Sequence, residues 1–256
     1  MSTLTGSKKR QLTYTRPSTL LGVRTHYCAG CGHGIVHKLI AEIAEEKGLR
    51  DRLVGTAPVG CAVLSYCYLD FDSSEAAHGR TPAVCTGIKR VHPDCIVYSY
   101  QGDGDLAAIG TVEIIHAANR GENITVIFIN NAVYGMTQGQ MAPTTMLGQV
   151  TSTTPAGRDK VTHGNPLHVC ELLSQLDGAA YLTRVTVSSP KAIRATKRAI
   201  ERAFQCQDEK RGFSLVEVLS PCPTYWRMAP AEAMKFIDEE MVKTFPLGTM
   251  KDWEEE

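Results

Sequence analysis

Two short runs of β-branched and aromatic residues constrain the architecture more than any other feature. Residues 95–100 read Cys-Ile-Val-Tyr-Ser-Tyr and residues 124–129 read Ile-Thr-Val-Ile-Phe-Ile, near-continuous apolar stretches with no wet face. Strands of this kind belong to parallel sheets that helices cover on both sides. A helical stretch over about 107–119 lies between them, so strand, helix and strand follow one another within some thirty-five residues, a βαβ unit. The same order recurs at 180–187, 191–205 and 213–219, while a helix over 34–47, stopped by Gly48, precedes a short strand over 52–57. Pro230 opens a last helix reaching about Phe245. Residues 134–166 form a Gly-, Thr- and Pro-rich loop, and a loop that long inside a compact domain is usually functional. The predicted fold is a single α/β domain with a mainly parallel sheet flanked by helices on both faces.

Composition acts mainly by exclusion. Lys plus Arg equal Asp plus Glu at 27 each, so no global field favours nucleic acid or an acidic membrane surface. No apolar stretch approaches the roughly eighteen residues of a membrane span, and the N-terminus lacks the apolar centre of a signal peptide, which predicts a cytoplasmic protein. The first forty-one residues hold no Asp or Glu, and Lys8, Lys9, Arg10, Arg16 and Arg24 make residues 1–25 a basic arm suited to lie on a partner chain, with the domain proper spanning 26–256. A cleavable transit peptide is rejected because it would run almost into the Cys motif at Cys28. Glu254, Glu255 and Glu256 read as a solvated tail. Nine cysteines, an odd count without secretion signals, argue against a disulfide scaffold and for metal ligation by some of them. Cys67, Cys85, Cys95, Cys170 and Cys206 lie in apolar or helical stretches and are expected to be buried small hydrophobes.

The first strand of the central unit runs into Gln101-Gly102-Asp103-Gly104-Asp105, and the second into Asn130-Asn131, with twenty-five residues between Gly104 and Asn130. Ligands of open α/β sheets bind beyond the carboxyl ends of the strands, where both segments sit. If the strands are neighbours, Asp103 and Asn131 face each other across the strand spacing of about 5 Å. A carboxylate, an amide oxygen and a backbone carbonyl such as that of Val133 make the hard oxygen shell that Mg2+ takes together with phosphate oxygens. Gly102 and Gly104 let a ligand approach the backbone, and the following helix turns free N–H groups toward an anion. The combination predicts a diphosphate–magnesium site. Gly-Asp-Gly followed at this distance by Asn-Asn resembles the signature of thiamine diphosphate enzymes.

Cys28-Ala29-Gly30-Cys31 is a Cys-x-x-Cys before a helix, Cys61 follows the 52–57 strand, and Cys222 follows the 213–219 strand. All four lie near strand ends on the face predicted to hold the diphosphate, so one four-thiolate site can form beside it. Ligand chemistry alone leaves a [4Fe–4S] cluster and a structural zinc open. Thiamine chemistry would favour the cluster, since decarboxylation of a 2-oxoacid leaves an electron-rich adduct that a one-electron acceptor can oxidise and zinc cannot.

The full set of motifs is 28–34 (Cys-Ala-Gly-Cys-Gly-His-Gly), 57–61 (Ala-Pro-Val-Gly-Cys), 78–80 (His-Gly-Arg), 86–89 (Thr-Gly-Ile-Lys), 102–105, 130–140 (Asn-Asn-Ala-Val-Tyr-Gly-Met-Thr-Gln-Gly-Gln) and 220–224 (Ser-Pro-Cys-Pro-Thr). Together, from about residue 20 to the end, they resemble the β subunit of 2-oxoacid:ferredoxin oxidoreductases, with the look of the branched-chain type that acts on 2-oxoisovalerate. The resemblance implies a [4Fe–4S] cluster on Cys28, Cys31, Cys61 and Cys222, and Mg2+ on Asp103, Asn131 and the Val133 carbonyl. It further implies thiamine diphosphate contacts around Gly60, Cys61, Gly102, Gly104 and Asp105, and along the loop at Tyr134, Gly135 and Thr137. The implied reaction converts a 2-oxoacid and coenzyme A to acyl-CoA, CO2 and reduced ferredoxin. A Glu that activates thiamine is not marked here, Glu113 being read as structural. The family supplies it from an α subunit, so the chain should be inactive alone and should work with that subunit, with γ and δ ferredoxin-like subunits and with ferredoxin.

Ala29, Ala62 and Gln138 depart from the family pattern without removing a ligand. His78 and Arg80 are candidates for the diphosphate or the substrate carboxylate, set against a solvated helix start. Lys89 is a further candidate, Thr137 and Gln140 are possible phosphate donors, and His33 with His37 read as a packed helix face. The rival functions are a non-redox thiamine decarboxylase or synthase, and a zinc-stabilised electron-transfer scaffold that binds no thiamine.

Overall fold

The computed structural model describes residues 13–253, so Lys8, Lys9 and Arg10 of the basic arm and the acidic end at Glu254 to Glu256 lie outside the described residues. The strands are β1 (Leu53–Ala57), β2 (Asp72–Glu75), β3 (Ile96–Gly102), β4 (Thr125–Asn130), β5 (Ala179–Thr186), β6 (Phe213–Leu219) and β7 (Gly248–Lys251). They form one sheet in the order β2-β1-β3-β4-β6-β5-β7. Every neighbouring pair is parallel except β5 with β7. The helices are α1 (His33–Glu46), α2 (Thr81–Val91), α3 (Thr111–Asn119), α4 (Lys160–His163), α5 (Val169–Leu173), α6 (Pro190–Asp208), α7 (Pro223–Trp226), α8 (Pro230–Phe236) and α9 (Val242–Thr244).

The alternation hidden inside the apolar runs feeds two cores. Ile127 and Ile129 of β4 pack with Leu39, Ile40 and Ile43 of α1 and with Ile200 and Phe204 of α6. Val126 and Phe128 of the same strand pack with Ile114 of α3 and Leu173 of α5 on the opposite face. Each large aliphatic buried this way contributes about 1.5–3 kcal/mol, which is why both faces must be covered. On α6 the buried positions Thr196, Ala199, Ile200, Ala203, Phe204 and Gln207 repeat at helical spacing, and Ser189 caps the start by accepting from the Ala192 N–H at 3.2 Å. Among the described residues, no helix is long and apolar enough to cross a membrane.

The structure departs from the sequence expectation at several points. The helix expected over 107–119 is broken into a wide π turn at Asp105–Ile109 and a regular α3. Backbone crowding accompanies the break, because a Cβ on Gly79 would stand 2.7 Å from the Gly110 nitrogen. The last helix is likewise interrupted by a π turn at Ile237–Met241, where Ile237, Met241 and Phe245 turn into a third cluster with Leu219 and Ala132. β2 (Asp-Ser-Ser-Glu) has no strand propensity and exists through backbone pairing with β1. The described part of the arm packs on its own domain, with Thr19 buried, its Oγ1 donating to the Ala41 carbonyl at 2.8 Å and its carbonyl accepting from Asp70. Cys85, Cys170 and Cys206 are buried as expected and Cys95 is half-buried, but Cys67 is exposed, because it sits in a short 3-10 turn at Ser65–Cys67 and not in the core.

His33 and His37 do form a packed face of α1. His33 Nδ1 meets the Tyr100 hydroxyl at 2.9 Å and His37 Nε2 meets the Tyr27 hydroxyl at 2.7 Å. Burial holds His33 down to about 4 and His37 down to about 3, from an ordinary value of 6.5. The unfolded chain therefore binds more protons than the folded one below pH 6.5, and these two residues subtract stability as pH falls from 6.5 toward 4. His37→Phe should make the urea-unfolding free energy fall less steeply over this window, by about 1.4 kcal/mol per pH unit. An unchanged slope would refute the assignment.

Candidate functional site

Because β1, β3, β4 and β6 are parallel neighbours, their carboxyl ends open on one edge of the sheet and deliver to it the segments beginning at Pro58, Asp103, Asn131 and Ser220. Asp103 is buried there. Its Oδ2 accepts from the Val133 N–H and from Thr144 Oγ1, both at 3.1 Å, and its Oδ1 accepts from the Gly104 N–H at 3.1 Å. Burial pushes this carboxyl up to about 7, partly offset by those hydrogen bonds.

The Asn131 amide faces the same point. Its oxygen lies 2.7 Å from the Val133 carbonyl oxygen and 3.1 Å from Asp103 Oδ2. Three acceptors that close repel one another unless the amide rotates to donate its N–H groups, or a cation sits among them. Cis ligands around octahedral Mg2+ at about 2.1 Å stand about 2.9 Å apart, so the spacing of the trio fits that ion. The turn carrying Asn131 and Val133 is strained at Ala132, whose φ of 57° is unusual for a non-glycine residue. It is held by Asn130 Oδ1 accepting from the Ala132 N–H at 3.1 Å, by Thr145 Oγ1 donating to the Ala132 carbonyl at 2.7 Å and by Trp226 Nε1 donating to the Asn131 carbonyl at 3.0 Å.

A cavity of about 380 Å3 opens beside this point, lined among others by Gly60, His78, Gly102, Gly104, Tyr134 and Thr137. Asp105 lines it too, but its carboxylate is committed to the scaffold. Oδ1 accepts from the Val59 N–H at 3.1 Å, the Gly79 N–H at 3.0 Å and His78 Nδ1 at 2.6 Å, while Oδ2 accepts from Gln101 Nε2 at 2.6 Å. With Nδ1 turned to Asp105, His78 has Nε2 left for a ligand in the cavity. The structure does not bring Arg80 to the cavity. Its guanidinium donates to the Ile109 carbonyl at 3.1 Å and pairs with Glu113 at 2.7 Å. Lys89 donates to the Cys95 carbonyl, away from the site. Thr137 and Gln140 bond each other. Gln138 stands at φ 83°, in the left-handed region where glycine is at ease, which accounts for the glycine that the family favours there.

A second cavity, of about 200 Å3, is lined by all four expected thiols, Cys28, Cys31, Cys61 and Cys222, with His26 and Tyr27. Among the described residues, no three His, Cys, Asp or Glu side chains gather as a set that would hold a single metal ion. The four thiols are brought together as lining of that one cavity. Burial pushes the Cys31 thiol up to about 11 and those of Cys61 and Cys222 up to about 12, neighbouring thiols adding to the effect. Ligation must therefore expel protons. Cys61, Asn131, Gly135 and Met136 line both cavities, so the two share a wall. A larger depression of about 530 Å3 along β5, β7 and α6 shares no residue with either. Sequence reasoning missed Thr144, Met136, His26 and Trp226. Thr144 and Met136 fall within the long loop marked as functional, and nothing in the sequence singles out the other two.

A parallel sheet with Asp103, Asn131 and Val133 clustered at its carboxyl edge beside a glycine-lined cavity fits a thiamine diphosphate-binding domain, and the chain matches the family described as thiamine pyrophosphate enzyme, C-terminal TPP binding domain, over residues 58–218. It is 55% identical over 228 residues to the ketoisovalerate oxidoreductase subunit VorA of Methanothermobacter thermautotrophicus, covering 89% of this chain and 48% of that one. It is 37% identical over 237 residues to the 2-oxoglutarate synthase subunit KorB of Methanocaldococcus jannaschii, covering 90% and 82%. The chain belongs to the family of 2-oxoacid:ferredoxin oxidoreductase subunits. It spans about half the length of the VorA relatives it matches. In fold it is similar to a chain of 2-oxoglutarate:ferredoxin oxidoreductase from Magnetococcus marinus, solved with 2-oxoglutarate, coenzyme A and succinyl-CoA bound, with a TM-score of 0.74 at 24% identity over 94% of this chain and 86% of that one.

Asp105→Ala should cost about 3 kcal/mol or more of unfolding free energy in chemical denaturation, because the Val59 and Gly79 N–H groups and the Gln101 amide lose their acceptor. A cost below about 1 kcal/mol would show that Asp105 is no anchor.

Proposed function

We propose that this chain is the thiamine diphosphate- and iron–sulfur-binding subunit of a cytoplasmic 2-oxoacid:ferredoxin oxidoreductase. The reaction is 2-oxoacid plus coenzyme A plus two oxidised ferredoxins giving acyl-CoA, CO2, a proton and two reduced ferredoxins, with 2-oxoisovalerate as the substrate that the VorA relatives suggest. The observation that carries the reading is the shared wall: an oxygen trio spaced for Mg2+ and four thiols around a common space meet at Cys61, Asn131 and Gly135.

Thiamine diphosphate, when bound, would supply carbanion chemistry toward a 2-oxo carbon, and a [4Fe–4S] cluster would supply one-electron acceptor chemistry. The chain's own residues hold and orient these groups. Asp103, Asn131 and the Val133 carbonyl would hold Mg2+, and His78, whose Nδ1 meets Asp105 Oδ1 at 2.6 Å, would present Nε2 to an anionic group in the cavity. Cys28, Cys31, Cys61 and Cys222 hold the cluster. An α subunit supplies the activating Glu, and ferredoxin-like γ and δ subunits take the electrons onward, which supports an active site lying at a chain interface.

With partner subunits and methyl viologen, 2-oxoisovalerate and coenzyme A should drive dye reduction that Asp103→Ala lowers at least about a hundredfold. Persistent activity in Asp103→Ala refutes the magnesium role. A second expectation concerns the wall. A Cβ at position 135 would stand 3.2 Å from Cys61 Sγ and 3.6 Å from Cys222 Sγ, so Gly135→Ala should lower the iron and sulfide retained after anaerobic reconstitution. Full iron content in that variant would separate the thiol cavity from any cluster.

A further inference from the structure

The strand β6 reads Phe-Ser-Leu-Val-Glu-Val-Leu, and its Glu217 is a fully buried charge in the middle of the sheet. Glu217 Oε2 accepts from Arg184 Nε at 2.9 Å, and Glu217 Oε1 accepts from Asn130 Nδ2 at 2.8 Å. Arg184, itself buried, reaches outward to both oxygens of half-exposed Glu171 at 2.8 and 2.5 Å and to the Pro246 carbonyl at 3.0 Å. A buried ion pair is a poor source of net stability, since desolvation offsets the attraction and well-packed apolar residues often do as well. Its effect on geometry is definite. A carboxylate only accepts, so Asn130 must turn Nδ2 toward Glu217, which leaves Oδ1 to accept from the Ala132 N–H at 3.1 Å. That bond closes the left-handed turn at Ala132, and the residues on either side of it are Asn131 and Val133.

We propose that Glu217 and Arg184 are positioning residues for the metal-binding turn, acting through the Asn130 side chain. The proposal rests on the reading that Asp103, Asn131 and Val133 hold Mg2+. Arg184 aims the Glu217 carboxylate, Glu217 sets which end of the Asn130 amide faces the turn, and the turn aims two of the three metal-facing oxygens. Glu171 anchors the chain of contacts at the surface.

The test is Mn2+ binding to the full, anaerobically purified chain with thiamine diphosphate present, followed by calorimetry and by the Mn2+ electron paramagnetic resonance spectrum. Glu217→Gln and Asn130→Asp should each weaken Mn2+ binding 10- to 100-fold and broaden the spectrum. The pair Asn130→Asp/Glu217→Gln should recover to within about threefold of the unaltered protein, since the new amide oxygen takes the Arg184 bond, its N–H donates to the new carboxylate, and that carboxylate still accepts from Ala132. If the single variants do not fold, Glu171→Gln, at the half-exposed end, should broaden the spectrum in the same sense. Unchanged Mn2+ binding and spectra in folded variants, with only the melting temperature lowered, would overturn the proposal, as would a folded pair that shows no recovery. An unaltered protein that fails to bind Mn2+ would instead overturn the metal reading beneath it.

Discussion

The site depends on the parallel pairing of β1, β3, β4 and β6 as consecutive neighbours. Residue for residue, Gly102 lies beside Ile129 and Asn130 beside Leu219, so the chain leaves three strands at nearly the same height. Asp103, Asn131 and Ser220 then emerge side by side although they are distant in sequence. An antiparallel sheet would send alternate strand ends to opposite edges, and no choice of loop residues would restore the meeting. Two covered faces are the condition for such pairing, which explains why the packing of α1 and α6 on one side and of α3 and α5 on the other matters to the chemistry at the sheet edge.

What gathers at that edge is short of positive charge. The Asp103 carboxylate, the Asn131 amide and the Val133 carbonyl converge, and four thiols line the adjoining cavity. Burial raises the Asp103 carboxyl and the thiols of Cys31, Cys61 and Cys222, so the surroundings disfavour the charged forms of these groups. On the proposed reading, a divalent cation and an iron–sulfur core would reverse that preference by supplying positive charge. The two cavities share a wall at Cys61, Asn131, Gly135 and Met136, so on that reading charge placed in one would be felt in the other.

Much of this was legible in the residues. The strands β3 and β4 declare themselves by near-continuous apolar runs, and the spacing from Gly-Asp-Gly to Asn-Asn marks the cluster of Asp103, Asn131 and Val133 because both ends fall where strands stop. Edge strands were not legible: β2 is made of Asp, Ser, Ser and Glu and owes its form to a neighbour's backbone. The π turns escaped for a related reason, as Asp105–Ile109 has an ordinary helical composition and widens where Gly79 and Gly110 approach closely. Arg80 shows the limit of motif reading, because adjacency to His78 in sequence says nothing about side-chain direction, and its guanidinium pairs with the Glu113 carboxylate instead.

The two acidic residues of Gly-Asp-Gly-Asp divide the labour in a way that spacing alone cannot reveal. Asp103 accepts three hydrogen bonds and still turns an oxygen toward Asn131 and Val133, so it can serve a cation. Asp105 accepts four, from three separate segments, so both of its oxygens are engaged by the scaffold. It ties the Val59 loop, the His78–Gly79 turn and β3 into one rigid rim. Metal sites need both kinds of carboxylate, one with capacity left over and one saturated so that its neighbours cannot drift. The widened turn at Asp105–Ile109 follows from that second duty, because a residue anchored to two other loops fixes where the helix after it can begin.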